Sequence, residues 1–269
     1  MKPLVSFISN SSIFISIMAL CLSLFYSKIT DTAIDYNRLI VIFFGTLISY
    51  IGVQLIPITE NKINNKRTDW IKSYKTILII LMVTSLLVII LSIKYLNSYD
   101  LLNFIHLFIL VLFYEKIFIK KNELRKIPYF KPLLIAYIWA CTCTAPVLYL
   151  NLDSINYWIW IECFLFILSL AIPFDIRDLE TDSLESIKTI PIKFGIKNSR
   201  FICLFLFLCS LVLQFQYIEL NLMSIIITLL FCIIYIVLLK NTWPGQKDEY
   251  FLYGFDGLMA FKLLYLMVI

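Results

Sequence analysis

Asp175, Asp178 and Asp182 stand at spacings of three and four directly after a long apolar segment, in the stretch DIRDLETDSLESIKTIPIKFG. A helix advances about 100° per residue, so these carboxylates fall within roughly 60° of one another and form one acidic stripe. If the helix continues, Glu185 joins that side. Like charges four residues apart repel by about 0.2–0.5 kcal/mol on an exposed helix, so the stripe costs stability unless a cation sits between them. A divalent metal would turn that cost into a binding site. Hard carboxylate oxygens suit Mg²⁺, which keeps several waters and shares phosphate oxygens, and Lys188 and Lys193 follow closely enough to neutralise the rest of a diphosphate. Such a site promotes departure of pyrophosphate. The plainer alternative is a charged helix in water, with Asp178 and Glu180 merely solubilising it, and spacing alone leaves both open.

The elements that must position this stripe follow from composition. With 61% apolar and 15% charged residues and a mean hydropathy of +0.89, the chain is no water-soluble globule, whose apolar share is close to half. Runs long enough to cross about 30 Å of hydrocarbon lie at Leu4 to Ser27, Leu39 to Ile58, Ile77 to Leu96, Leu101 to Ile119, Pro132 to Leu150, Ile155 to Phe174, Phe201 to Tyr217, Leu220 to Leu239 and Glu249 to Ile269. The expected fold is an all-α transmembrane bundle of about nine helices, one unit over residues 1–269. No Pro/Gly/Ser linker interrupts it.

Charge sets the orientation. With the N-terminus in the cytoplasm, the inner segments collect all of the 23 Lys and Arg residues except Lys28, Arg38 and Lys94 outside and Lys116 and Lys262 within spans. The C-terminus then lies outside, in a multi-pass protein of an inner or plasma membrane. The net charge of +5 is accounted for by this asymmetry and by anionic lipid heads, leaving no separate support for nucleic-acid binding. Outer connections are short. The inner ones, Thr59 to Tyr74, Lys120 to Lys131, Asp175 to Arg200 and Lys240 to Asp248, carry nearly all the polarity, so a polar substrate group is handled there. Seven cysteines in apolar stretches read as small buried hydrophobes, with Cys141 and Cys143 on different helix faces. The hydrophobic stretch after Lys2 reads as a retained first span.

The string Asp175-x-Arg177-Asp178-Leu179-Glu180-x-Asp182, followed by Lys188-Thr189-Ile190-Pro191 and Gly195, resembles the second aspartate-rich motif of the UbiA superfamily of intramembrane prenyltransferases. There the pattern runs D-x-x-D-x-x-x-D, then a G-x-x-T-L-P-like turn and a Gly. Arg125, Pro128, Lys131 and Trp139 echo a basic loop leading into the fifth helix of these enzymes. The resemblance implies transfer of an isoprenyl chain from an allylic diphosphate to an aromatic or lipid-like acceptor, with Mg²⁺ held by two acidic motifs. It implies Asp175, Asp178 and Asp182 as metal and catalytic residues, with Lys188, Lys193 and Arg177 on the diphosphate.

The first motif departs from the family. Anchored on Ile63-Asn64, the N-D-x-x-D-x-x-x-D pattern places Gln54, Pro57 and Asn61 where its three aspartates would stand, and none is a carboxylate. Glu60 is the only acid close by; Gln54 or Asn61 would offer neutral oxygens, weaker for Mg²⁺. Lys62, Lys66 and Arg67 are candidates to meet a diphosphate in place of one metal, or are ordinary inner-loop charge. Glu185-Ser186-Ile187 replaces the Gly before Thr189.

Other polar residues fall inside spans. Asp256 is expected to face the bundle interior, to line a cavity or make a structural hydrogen bond. Glu115, Lys116 and Lys262 are expected to snorkel to headgroups, and His106 to pack without a catalytic role. Aromatic residues suit an isoprenoid tunnel or the lipid interface. The leading expectation is a prenyltransferase. Its rivals are a catalytically impaired protein of the same fold that binds an isoprenoid or protein partner, and a transporter, which the absence of an internal repeat disfavours.

Overall fold

The computed structural model describes residues 7–55, 66–114, 127–150 and 154–267. Apolar chain in lipid must satisfy its backbone groups internally, and among the described residues every regular element is helical. The helices are α1 (Ile13–Ile29), α2 (Tyr36–Leu55), α3 (Lys66–Ile93), α4 (Ser98–Tyr114), α5 (Phe130–Leu150), α6 (Ser154–Arg177), α7 (Leu179–Leu184), α8 (Ile190–Gln214) and α9 (Leu222–Lys240). Among the described residues five stretches are long and apolar enough to cross a membrane: Tyr36–Leu55, Asp69–Ile93, Tyr157–Arg177, Ile190–Gln214 and Leu222–Lys240. Shorter apolar helices occupy Ile13–Ile29, Ser98–Leu112 and Phe130–Ala145, at further positions expected from hydropathy.

Two expected spans take a different form. The span expected from Phe201 begins earlier, because α8 starts at Ile190 and passes through a kink at Gly195. The last span is not a continuous α-helix: a short turn at Asp248–Tyr250 runs into a π-helical segment, Phe251–Asp256, then Leu258–Phe261 and a 3₁₀ segment, Lys262–Met267. Gly257 follows the wide turn because a Cβ there would lie 2.2 Å from the carbonyl oxygen of Tyr253.

The bundle is organised around α6. Of its span 72% is buried within the protein, against 17% for Asp69–Ile93, so α6 is the axis while α3 turns Ile80, Leu87 and Leu91 outward. Helix α6 packs along α5 and α8, and α1 closes the group against α5 and the C-terminal segment. Lipid tails are as apolar as leucine, so close packing and small residues hold such contacts together. Buried Ala19 and Cys143 accordingly meet where α1 crosses α5, and Ser169 and Ser210 lie buried on α6 and α8. Pro173 has no amide proton and leaves the Ser169 carbonyl without its helical donor; the Tyr235 hydroxyl of α9 supplies one at 3.0 Å.

The half of the bundle away from the acidic stripe is tied by charge. Lys262 is fully buried, not snorkelling as expected from its place near a span end. Its ammonium pairs with Glu162 of α6 and donates to Gln214 Oε1 at 3.1 Å, while the hydroxyls of Tyr26 and Tyr217 each donate to Glu162 Oε2 at 2.7 Å. Phe166 presents its ring 4.5 Å from the same ammonium. Four segments of the chain thus meet on one buried ion pair. Arg38, expected in an outer loop, is likewise buried and lies 3.8 Å from Asp100, joining the starts of α2 and α4. His106 sets its ring edge-on to Tyr137 at 5.7 Å on the outward side of α4. All seven cysteines are free.

A buried charge that loses its partner is far costlier than the pair it came from. Glu162→Ala, which strands Lys262, is expected to destabilise the protein by about 3–5 kcal/mol in thermal or denaturant unfolding in detergent. The double variant Glu162→Leu with Lys262→Met is expected to recover most of that loss. Equal stability of Glu162→Ala and wild type would show that the pair does not hold the helices.

Candidate functional site

The acidic stripe forms where α6 hands over to α7. Helix α6 ends at Arg177, Asp178 takes φ −86° and ψ 8° between the two helices, and α7 is only six residues long. The hydrogen-bond progression nevertheless continues, with the Asp178 amide donating to Phe174 at 3.0 Å and the Asp182 amide to Asp178 at 2.8 Å. That continuity keeps Asp175, Asp178 and Asp182 on one side. The helix does not reach Glu185, which is instead the C-cap. Ser186 turns the chain at φ 56°, and the Ile187 amide closes back on the Asp182 carbonyl at 2.9 Å.

The Lys-Thr-Ile-Pro segment is the start of the next helix. Thr189 is extended and opens α8, and Pro191 fits the first turn because its missing amide has no helical partner there. Gly195, at φ 77° and ψ 163°, then bends α8 through a conformation that a side chain would strain. Lys188 and Lys193 are exposed on this segment, Lys193 with its ammonium 5.1 Å from the Tyr129 ring.

The cation between the aspartates comes from α5. Lys131 Nζ lies 2.8 Å from Asp175 Oδ1, 3.0 Å from Asp182 Oδ2 and 3.6 Å from Asp178 Oδ2. The side chains are closely shielded: Asp182 is 0% exposed, Asp175 1% and Lys131 9%. The approach is fixed by the backbone. Tyr129, at φ 63°, donates its amide to the Lys188 carbonyl at 2.9 Å, which pins the start of α5 against the turn after α7. In the sequence Lys131 belongs to a basic inner loop, and nothing in its spacing connects it with the stripe.

Arg177 faces the other way. Its Nε and Nη2 donate to the two oxygens of Asp178 at 2.7 and 3.1 Å, and its Nη1 donates to Asp248 at 3.0 Å. The guanidinium also lies 5.2 and 5.3 Å from the rings of Phe174 and Phe251, and the Gly245 amide donates to the Arg177 carbonyl at 3.0 Å. Arg177 is therefore the joint between the acidic segment and the C-terminal segment. Asp256 is buried in the bundle interior as expected, within electrostatic reach of Arg177.

The first-motif positions are only partly visible. Gln54, near the end of α2, donates its amide to Ser12 Oγ at 2.9 Å, and its Oε1 is buried without a partner. Pro57 and Asn61, with Glu60, Lys62, Glu115, Lys116 and Arg125, lie outside the described residues. Lys66 and Arg67 open α3.

The donor set of the stripe fits a hard divalent cation. Three carboxylates converge on one point, and Asp175 Oδ2 is buried there without a hydrogen-bond partner, a deficit of about 1–3 kcal/mol that a cation would relieve. Among the described residues no three acids stand close enough together to ligate an ion as they are, and the Lys131 ammonium lies among these three.

Comparison with known proteins agrees with this architecture. The model of the UbiA prenyltransferase family matches residues 71–256. A search of curated proteins returns no match. Among solved structures, one of a UbiA homologue from Aeropyrum pernix K1 in its apo form superposes with a TM-score of 0.66 at 13% identity, covering 94% of this chain and 97% of that one. Another, from work on digeranylgeranylglyceryl phosphate synthase in membranes, gives 0.54 at 19% identity over 100% and 99% of the two chains.

Removing the Arg177 joint has a local signature. Arg177→Met is expected to speed amide exchange over residues 242–250 by roughly ten-fold or more while leaving α6 protected, measured by hydrogen–deuterium exchange mass spectrometry. Unchanged exchange there would show that the backbone contacts suffice.

Proposed function

The chain belongs to the UbiA prenyltransferase family, and we propose that it is an integral membrane prenyltransferase moving an isoprenyl group from an allylic polyprenyl diphosphate to an aromatic or lipid-like acceptor. The observation that carries this reading is the convergence of Asp175, Asp178 and Asp182 at one end of a helical bundle, at the positions of the family's second acidic motif. On the charge distribution, that end is cytoplasmic, as is the N-terminus.

In this reading Asp175, Asp178 and Asp182 hold Mg²⁺. Bound there, Mg²⁺ would neutralise the diphosphate and favour its departure as pyrophosphate. The chain's own groups do the rest. Lys188, exposed just before α8, and Lys193, exposed in its first turn, supply positive charge to the diphosphate. Arg177 serves by holding Asp178 in place through its paired hydrogen bonds. Lys66 and Arg67, following the altered first motif, are assigned to the same anionic group. Loss of the first-motif carboxylates at Gln54, Pro57 and Asn61 leaves the second motif as the principal acidic ligand set. Ionisation of the allylic carbon–oxygen bond is followed by attack of the acceptor on the allylic carbon and loss of its proton.

The assignment is tested with purified protein in lipid nanodiscs, radiolabelled geranyl, farnesyl and geranylgeranyl diphosphates as donors, and total membrane lipid as acceptor. Asp178→Asn and Asp182→Asn are each expected to lower label transfer by ~100-fold or more, with folding verified by melting temperature. Transfer at the wild-type rate in both would overturn the site assignment.

A further inference from the structure

Lys131 is more than a surface charge that has folded inward. Its ammonium occupies the point on which Asp175, Asp178 and Asp182 converge, at 2.8, 3.6 and 3.0 Å respectively. Carboxylate oxygens around an ammonium stand near 3 Å from it, whereas around Mg²⁺ they close to about 2.0–2.1 Å. The distances to Asp175 and Asp182 are those of an ion-paired ammonium. We propose that Lys131 is a resident counter-cation that competes with divalent metal for the aspartate cluster, so that metal binding and release of Lys131 are a single coupled exchange. This rests on the reading that the cluster takes a metal.

The exchange is local. The backbone of Lys131 is held by the Tyr129–Lys188 hydrogen bond and by entry into α5, so only its unbranched side chain has to swing away. Two features make the exchange productive. Asp175 Oδ2 has no partner while the ammonium is in place, and a divalent ion brings two positive charges to the point where the Lys131 ammonium brings one. In the absence of metal, Lys131 lies between the buried carboxylates of Asp175 and Asp182 and offsets their mutual repulsion. The apparent metal affinity is then the intrinsic affinity scaled down by the fraction of molecules in which Lys131 is out. The lysine thus sets how much divalent metal the site requires.

The test uses the full chain in phosphatidylcholine nanodiscs, with Mn²⁺ as the probe and the electron paramagnetic resonance signal of free Mn²⁺ as the readout. Lys131→Gln is expected to bind Mn²⁺ roughly ten-fold tighter or more than wild type, and Lys131→Arg to bind like wild type. The gain is expected to vanish when Asp182→Asn is added to Lys131→Gln. Wild-type protein supplies an independent reading that requires no variant to fold: acylation of Lys131 by an amine reagent, followed by mass spectrometry, is expected to rise as Mn²⁺ saturates, while acylation of exposed Lys197 stays constant. Equal or weaker Mn²⁺ binding by folded Lys131→Gln, or Lys131 labelling that does not change with Mn²⁺, would overturn the proposal. Neither readout depends on prenyl transfer. A protein that shows the exchange but transfers no isoprenyl group would refute the proposed activity and leave the role of Lys131 standing.

Discussion

A charge placed inside a helical bundle must be met by an opposite charge, and here Lys131 meets Asp175, Asp178 and Asp182. The carboxylates come from the end of α6 and from α7, the ammonium from the start of α5. Each side would be costly without the other in a poorly solvated site. The packing of α5 against α6, the turn at Ser186 and the hydrogen bond from Tyr129 to Lys188 bring the two together. Glu162 and Lys262 obey the same rule in the other half of the bundle, with Tyr26, Tyr217 and Gln214 completing their hydrogen bonds. The distinction lies in what remains unsatisfied: Glu162 accepts on both oxygens, whereas Asp175 Oδ2 has no partner.

Much of this was legible in the chain itself. Hydropathy located the helices because each must cover most of the hydrocarbon with apolar side chains, and the spacing of the aspartates survived even though α6 stops at Arg177. The link across Asp178 keeps the helical hydrogen-bond progression, which is why a periodicity argument succeeded over a break. The Thr189-Ile190-Pro191 and Gly195 signature also had a readable meaning: a helix start followed by a bend at positive φ.

Long-range partners were not legible. Lys131 is 51 residues from Asp182, and in sequence it is one more basic residue beside a membrane-spanning segment. Lys262 lies near a span end, where a long side chain ordinarily reaches the headgroups; its partner Glu162 is 100 residues away, and only the packing of α6 beside the C-terminal segment reveals the pair. The non-α turns between Phe251 and Met267 were equally hidden, since their residues are as apolar as those of an ordinary span. Gln54 reads as a neutral substitute for a carboxylate, and its observed hydrogen bond to Ser12 on the neighbouring chain segment depends on the fold.

The family model covers residues 71–256, and the superposed structures share the fold. The most direct measurement is an electron cryomicroscopy structure of the full chain in nanodiscs with Mg²⁺ and a non-hydrolysable allylic diphosphate analogue. The account predicts density for a metal ion between Asp175, Asp178 and Asp182, the diphosphate against it, and the Lys131 ammonium moved out of the cluster. Diphosphate density away from these aspartates, with Lys131 still seated among them, would contradict it.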